Sequence, residues 1–206
     1  MKNKVAFLTL GCKVNSYETE AMRGLFEENG YESVEFKEIA DIYVVNTCTV
    51  THIADRKSRQ MLRQAKKRNP EAIIIAVGCY VQSSEEELLE DSAVDIVLGN
   101  NKKSDIINVV NQYKAGKGHG EYLVDINKES EYEDLNVATA LEKTRAVIKI
   151  QDGCNRFCSY CIIPYVRGRV RSRKIEDVLE EVKRLADNGY KEFVLTGIHL
   201  SSYGID

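Results

Sequence analysis

Cysteine carries the most distinctive chemistry in this sequence. Cys154, Cys158 and Cys161 stand in a C-x-x-x-C-x-x-C spacing within Asp152–Cys161. Thiolates at such spacing select soft metal centres. A structural zinc site closes at four ligands. No fourth cysteine follows, and Asn155, Ser159 and Pro164 are poor substitutes. Three sulfurs suit an iron–sulfur cube, with one iron left open for another ligand. The other three cysteines, Cys12, Cys48 and Cys79, lie far apart in sequence, so only the fold can bring them together.

The elements that would do so are legible as apolar runs. Val5–Leu10, Asp41–Val45, Ala72–Val77 and Val94–Leu98 are each apolar along most of their length, as strands covered on both faces are. Helical patterns separate them. One helix opens at an Asn15-x-x-Glu18 capping box, buries Met22, Leu25 and Phe26, and stops near Gly30. A basic helix covers Ile53 to Arg68 and ends before Pro70. A short helix opens at a second capping box, Ser84-x-x-Glu87. A further one carries Ile106, Ile107, Val109 and Val110 and ends in the Ala115–Gly118 turn. Alternating strands and helices predict an α/β domain with a mostly parallel sheet. Ligands of such sheets collect at the carboxyl ends of the strands. Cys12, Cys48 and Cys79 each follow one predicted strand, so topology would gather them at one edge. The alternative is that they are buried thiols acting as small hydrophobes. Three of three at strand ends favours the ligand reading.

Residues 1–127 form this first domain. Residues 128–143 are polar and acidic without period and read as a linker. Residues 144–206 begin a second domain: the strand Arg145–Ile150, the cysteine loop, an amphipathic helix from Lys174 capped at Gly189, and the strand Phe193–Thr196. A lone β-α-β unit cannot bury its own sheet. The expectation is a C-terminally truncated chain, or a piece packed on the first domain or on a partner.

The 206 residues are 43% hydrophobic and 30% charged, as in soluble globular proteins, and no apolar run is long enough to span a bilayer. The N-terminus lacks the pattern of a secretory signal, which predicts a cytoplasmic protein in which six cysteines serve metals rather than cross-links. A net charge of −3 gives no global signal for nucleic acid. Two local features could. One is the run Arg167, Arg169, Arg171, Arg173 and Lys174, where alternation on an extended strand puts the odd positions on one side. It reads either as contacts to a carboxylate or phosphate or as a solvated edge. The other is the basic helix, with Arg56, Lys57, Arg59, Arg63, Lys66, Lys67 and Arg68. Tyr160 either lines a ligand site or packs as core. His52, His119 and His199 stand alone, and no residue is assigned to acid–base catalysis.

Thr9–Asn15, Val45–Thr51, Val77–Tyr80, Gly153–Gly168 and Leu195–Leu200 resemble the methylthiotransferases of the radical S-adenosylmethionine (SAM) superfamily. Lys13-Val14-Asn15, Thr49-Val50-Thr51 and Thr196-Gly197-Ile198-His199 are most similar to the branch that modifies N6-threonylcarbamoyladenosine in tRNA, next to the anticodon. The resemblance implies an N-terminal domain followed by the first β-α-β of a partial (β/α) barrel. It implies two 4Fe–4S clusters: a SAM-binding one on Cys154, Cys158 and Cys161, and an auxiliary one on Cys12, Cys48 and Cys79. The auxiliary cluster's open iron would hold the sulfur to be delivered. SAM would serve as radical source and methyl donor, with Tyr160 at its adenine and Thr196 and Gly197 near its amino group. The implied reaction is methylthiolation at C2 of the adenosine. The implied partners are tRNA, a flavodoxin- or ferredoxin-like reductant and a sulfur donor, with no membrane. Two alternatives stand beside it: a methylthiotransferase of a ribosomal protein, and a cluster-binding fragment without activity because most of the barrel is missing.

Overall fold

A computed structural model describes residues 2–116, 120–136 and 144–206. The predicted turn at Lys117–Gly118, His119 and the linker positions 137–143 lie outside the described residues.

The first domain runs β1 (Lys4–Thr9), α1 (Lys13–Glu28), β2 (Glu32–Val34), β3 (Ile42–Thr47), α2 (His52–Arg68) and β4 (Ile73–Gly78). It continues through α3 (Cys79–Ser83), α4 (Glu85–Leu89), β5 (Ile96–Leu98), α5 (Ile106–Lys114) and β6 (Gly120–Tyr122). All pairings are parallel, in the order β2-β1-β3-β4-β5-β6. The alternation of side chains along each strand divides the core in two. Tyr43, Val45, Ile74 and Ala76 face Met61, Leu62 and Ala65 of α2 and Tyr80 and Val81 of α3. Ile42, Val44, Ile75 and Val77 face Met22 and Phe26 of α1 and Val109 and Val110 of α5. A strand buried on both faces has no polar side to alternate, hence the unbroken apolar runs. The strand order reverses direction at β1 and β3, where open α/β sheets form their binding crevice.

The edge strands β2 and β6 escape sequence reasoning because three residues of mixed polarity carry no period. Both predicted capping boxes are corrected. Cys12 stands at the N-cap of α1, and the helix begins at Lys13, so Asn15 and Glu18 lie inside it with their side chains turned into the protein. Ser84 precedes α4 but makes no side-chain cap, and Glu87 pairs with Arg59 and accepts from the Tyr80 hydroxyl. Thr51 is a true cap, its hydroxyl accepting from Ala54 N–H at 3.2 Å.

The second part comprises β7 (Arg145–Lys149), β8 (Gln151–Asp152), α6 (Ile163–Arg167), β9 (Arg171–Ser172), α7 (Ile175–Asp187) and β10 (Glu192–Thr196). β7 and β10 pair in parallel, while β8 and β9 pair antiparallel. Val178 and Leu185 of α7 cover Ala146 and Ile148 of β7. The other side of this unit rests on the first domain, where Val147 meets Tyr17 and Ala21 of α1.

The residues leading out of the first domain are not a loose tether. Ile126, Glu133 and Leu135 are buried. Tyr132 donates to the Lys149 carbonyl at 2.8 Å, Ser104 N–H donates to Glu133, and the Tyr17 hydroxyl donates to the Leu135 carbonyl. The low hydrophobicity of this stretch hides anchors that are single residues. No helix among the described residues is long and apolar enough to cross a membrane.

Candidate functional site

The three scattered cysteines leave adjacent strands. Cys12 follows β1, Cys48 follows β3 and Cys79 opens α3 directly after β4. Thr9 is in register with Asn46, and Thr47 with Gly78. Counting onward places Gly11 beside Cys48 and Cys48 beside Cys79. Contacts agree: a Cβ at Gly11 would sit 3.0 Å from both Cβ and Sγ of Cys48, and its φ of +101° suits glycine alone. Cys48 and Cys79 are buried, whereas Cys12 is exposed.

Asn15 binds this edge together. Its Nδ2 donates to the carbonyls of Leu10 at 2.8 Å and Thr47 at 3.0 Å, joining the β1 and β3 loops. Its Oδ1 lies 3.6 Å from the Cys12 sulfur. The Ser58 hydroxyl bonds both N–H and C=O of Cys48, at 3.4 and 3.3 Å. Asn100 Nδ2 lies 3.8 Å from the Cys79 sulfur and donates to the Val166 carbonyl at 2.6 Å. Burial pushes the Cys79 thiol up, and the nearby Arg167 charge acts against that shift.

The second site is the loop between β8 and α6. Cys154 N–H donates to the Gly168 carbonyl at 3.0 Å, and Val170 N–H donates to Asn155 Oδ1 at 3.1 Å. Cys161 N–H closes a turn onto the Cys158 carbonyl at 2.9 Å. Phe157 has a positive φ of 46°, and its ring lies edge-on to Tyr165 and under the Arg169 guanidinium. Cys154 is buried, Cys161 is partly exposed and Cys158 is exposed. Tyr160 is 91% exposed, which removes the core alternative for it. Gln151 draws Thr196 and Gly197 to the same place. Its amide donates to the carbonyls of Asp152 and Gly153, while its oxygen accepts from His199 N–H at 2.7 Å. Gly197 has no Cβ to strike Gln151, whose Cβ would stand 2.9 Å away. The Thr196 carbonyl accepts from Ile150 N–H at 2.9 Å.

Among the described residues, no group of three or more His, Cys, Asp or Glu side chains converges on a position for one metal ion. A single zinc ion needs such convergence. An iron–sulfur cube does not, because its thiolates bind separate irons and stand apart around it. Two sets of three thiols, each on loops from strand ends, fit that requirement.

Sequence reasoning misplaced the arginine run. Arg167 ends α6, only Arg171 of the run lies in the two-residue strand β9, and Arg167, Arg171 and Arg173 are among the largest fully buried side chains. They are neither a solvated edge nor a free anion site. Arg173 pairs with Glu181 and donates to Asn136 Oδ1 at 2.6 Å. Arg167 lies in a wholly buried ion network with Glu18, Lys103, Lys149 and Asp152. Its guanidinium donates to Glu18 at 2.9 Å, to Asp152 at 3.0 Å and to Asn15 Oδ1 at 2.6 Å. Lys149 reaches Glu18 at 2.9 Å and Asp152 at 2.6 Å, and Lys103 reaches Glu18 at 3.1 Å. Burial alone would raise the Glu18 and Asp152 carboxyls. The cations around them outweigh it, and both stay well below the usual carboxylate range. No signal in the sequence marks these residues, since their partners are 85 to 149 positions away from Glu18 or lie in another element. The basic helix α2 is partly consumed within its own domain: Arg59, Arg63 and Lys66 pair with Glu87, Asp91 and Asp95.

A doubly wound parallel sheet with cysteines on its carboxyl edge, joined to a β/α unit bearing a three-cysteine loop, defines a class. Residues 4–99 match the family described as "Uncharacterized protein family UPF0004", and residues 148–203 match the "Radical SAM superfamily". The two halves of the chain are thus similar to two different families. It is 48% identical over 202 residues to the threonylcarbamoyladenosine tRNA methylthiotransferase MtaB of Bacillus subtilis, covering 98% of this chain and 45% of that protein. The MtaB of Aquifex aeolicus is 45% identical, with 98% of this chain and 50% of that protein covered. The tRNA-2-methylthio-N6-dimethylallyladenosine synthase of Clostridium tetani is 36% identical, over 96% of this chain and 45% of that protein. The chain thus spans about half the length of the curated relatives it matches. Among solved structures, the radical SAM methyltransferase TsrM of Kitasatospora setae shares the fold at a TM-score of 0.62 and 14% identity, over 97% of this chain and 48% of that one.

Proposed function

We propose that this chain forms the cluster-binding part of a tRNA-modifying methylthiotransferase that acts at C2 of N6-threonylcarbamoyladenosine. The meeting of Cys12, Cys48 and Cys79 at one sheet edge, beside a separate three-cysteine loop, carries this reading. Residues 1–127 would hold the auxiliary cluster and residues 144–206 the SAM-binding one, with residues 128–143 between them. The wording of the MtaB relatives' names supports the choice of substrate.

Bound on Cys154, Cys158 and Cys161, a 4Fe–4S cluster would supply the electron that opens SAM. The protein's part is to hold and orient. Gly168 and Asn155 fix the loop through its backbone. Gln151 sets the Thr196–Gly197 turn beside the loop, where backbone groups would meet the amino group of SAM. The exposed Tyr160 ring is free to lie against the adenine. Cys12, Cys48 and Cys79 would hold the second cluster, with Asn15 and Ser58 keeping the three loops in place. The exposed cations Arg56, Lys57 and Lys67 of α2 offer a surface for tRNA phosphate. A flavodoxin- or ferredoxin-like protein would supply electrons, a separate donor the sulfur, and the cytoplasm is where such a substrate would be met.

Anaerobic reconstitution tests the reading: roughly eight irons and eight sulfides per chain are expected. Cys154→Ala is expected to keep about half of each and to lose SAM cleavage. A colourless protein holding zinc, or a C154A variant that still cleaves SAM, would overturn it. An unchanged methylthio-threonylcarbamoyladenosine peak in tRNA from a deletion strain would count against the substrate.

A further inference from the structure

The buried ion network has a place and a charge that its structural role leaves unexplained. It lies between the two cysteine sites. Glu18 is on α1, the helix that Cys12 opens, and Lys103 follows β5. Lys149 and Asp152 come from β7 and β8, the latter two residues before Cys154. Arg167 joins the two carboxylates of this arrangement. It donates to Glu18 and Asp152 and holds Asn15 Oδ1, which lies 3.6 Å from the Cys12 sulfur, while the neighbouring Val166 carbonyl is held by Asn100, the residue that faces the Cys79 sulfur. Lys103 holds Asn100 at 2.5 Å, and Asn100 in turn faces the Cys79 sulfur.

Three cations, Arg167, Lys103 and Lys149, contact two carboxylates, and the buried Arg171, whose guanidinium bonds backbone carbonyls, adds a further positive charge near Asp152, so positive charge is left over inside the protein. Buried charges are tolerated when paired. Two thiols border this surplus, Cys12 through Asn15 and Cys79 through Asn100. Arg167 Nε, buried as well, has no partner among the described residues. An anionic group on the Cys79 sulfur would balance the network.

We propose that Arg167 is a positioning residue shared by both cysteine sites, which sets the charge beside the Cys79 sulfur while it fastens the root of the Cys154 loop to α1. The electron affinity of a cluster on Cys12, Cys48 and Cys79 then depends on a residue supplied by the radical SAM half. This rests on the ligand assignment above. A nearby cation stabilises the more negative, reduced form of a cluster and raises its potential. A nearby carboxylate lowers it.

The test uses the whole chain with Cys154, Cys158 and Cys161 replaced by alanine, reconstituted with iron and sulfide so that only the auxiliary cluster loads. Its potential is read by dye-mediated titration followed by electron paramagnetic resonance. Arg167→Gln is expected to shift the potential downward, Arg167→Lys to restore most of that shift, and Glu18→Gln to move it upward. Opposite signs from R167Q and E18Q separate a charge effect from loosened packing, which would move both the same way or neither. If R167Q does not fold, E18Q alone decides: an upward shift supports the inference, and no shift or a downward one overturns it. A parent protein that takes up no iron overturns the ligand assignment and the inference with it. A parent that loads one cluster whose potential ignores both variants overturns the inference alone.

Discussion

Replacing Gly153 by alanine tests the geometry of the cysteine loop without touching a sulfur. A Cβ there would stand 1.8 Å from the Arg169 carbonyl oxygen, 2.5 Å from its carbon and 2.7 Å from the Gly168 oxygen, all of them backbone. Contacts under 3.0 Å are essentially never seen, so the backbone of residues 168–169 must retreat by about 3.0 − 1.8 = 1.2 Å. That retreat breaks the bond from Cys154 N–H to Gly168 and strains the one from Val170 N–H to Asn155 and the short β8–β9 pairing. Two or three hydrogen bonds at about 1 kcal/mol each, plus about 1 kcal/mol for a side chain at φ +72°, give about 3–4 kcal/mol. For a chain of this size that is a drop of about 6–16 °C in Tm. Gly189→Ala is the control, since Gly189 has φ +92° with nothing within 4 Å of its Cβ. It is expected to cost about 1 kcal/mol from the backbone alone, or about 2–4 °C. Thermal melts of the two variants by circular dichroism, without metal, isolate the collision. If they melt within about 3 °C of each other, the crowding argument is wrong.

Cys48→Ala is expected to remove one cluster's worth of iron and sulfide while SAM cleavage persists, read by iron assay and deoxyadenosine release. Full iron in that variant would detach Cys48 from the site. Tyr17→Phe deletes a buried hydroxyl that bonds Leu135 and Glu181, at about 1–3 kcal/mol in urea titration; a neutral result would show that this contact does not hold the segment down. Acid should weaken the fold through Glu18 and Asp152. Both carboxyls are depressed in the folded state, so the unfolded chain takes up protons near pH 4 where the folded chain does not. Their stabilisation is complete above that range and falls away as pH drops through and below it. Asp152→Asn should flatten the acid limb of stability between pH 6 and 3, and an unchanged slope would refute the assignment.

The sheet was legible because buried parallel strands are apolar throughout, and apolar runs survive any reading frame. Cys12, Cys48 and Cys79 could be placed from strand ends alone. What escaped depends on distance. Asn15 and Glu18 have the spacing of a helix cap, yet their partners are Thr47, Lys103, Lys149 and Arg167. Arg167, Arg171 and Arg173 carry charge, which in sequence signals surface. Only the fold shows the carboxylates and carbonyls that let them be interior. Tyr160 is the reverse case, an aromatic in a cysteine-rich segment that turns out to face solvent.

The anchoring of residues 126–136 has a consequence for where this chain can be divided. By element order the cut falls between β6, which ends at Tyr122, and β7, which opens at Arg145. By energetics it does not, because Glu18 would keep only Lys103 after losing Lys149 and Arg167, and Tyr17 and Ala21 would lose Leu135 and Val147. A carboxylate stripped of most of its counter-charges inside a protein costs several kcal/mol, on the scale of a whole domain's stability. The two halves are thus coupled through Glu18, Tyr17 and Ala21, and a cut between them is expected to destabilise the sheet that bears Cys12, Cys48 and Cys79.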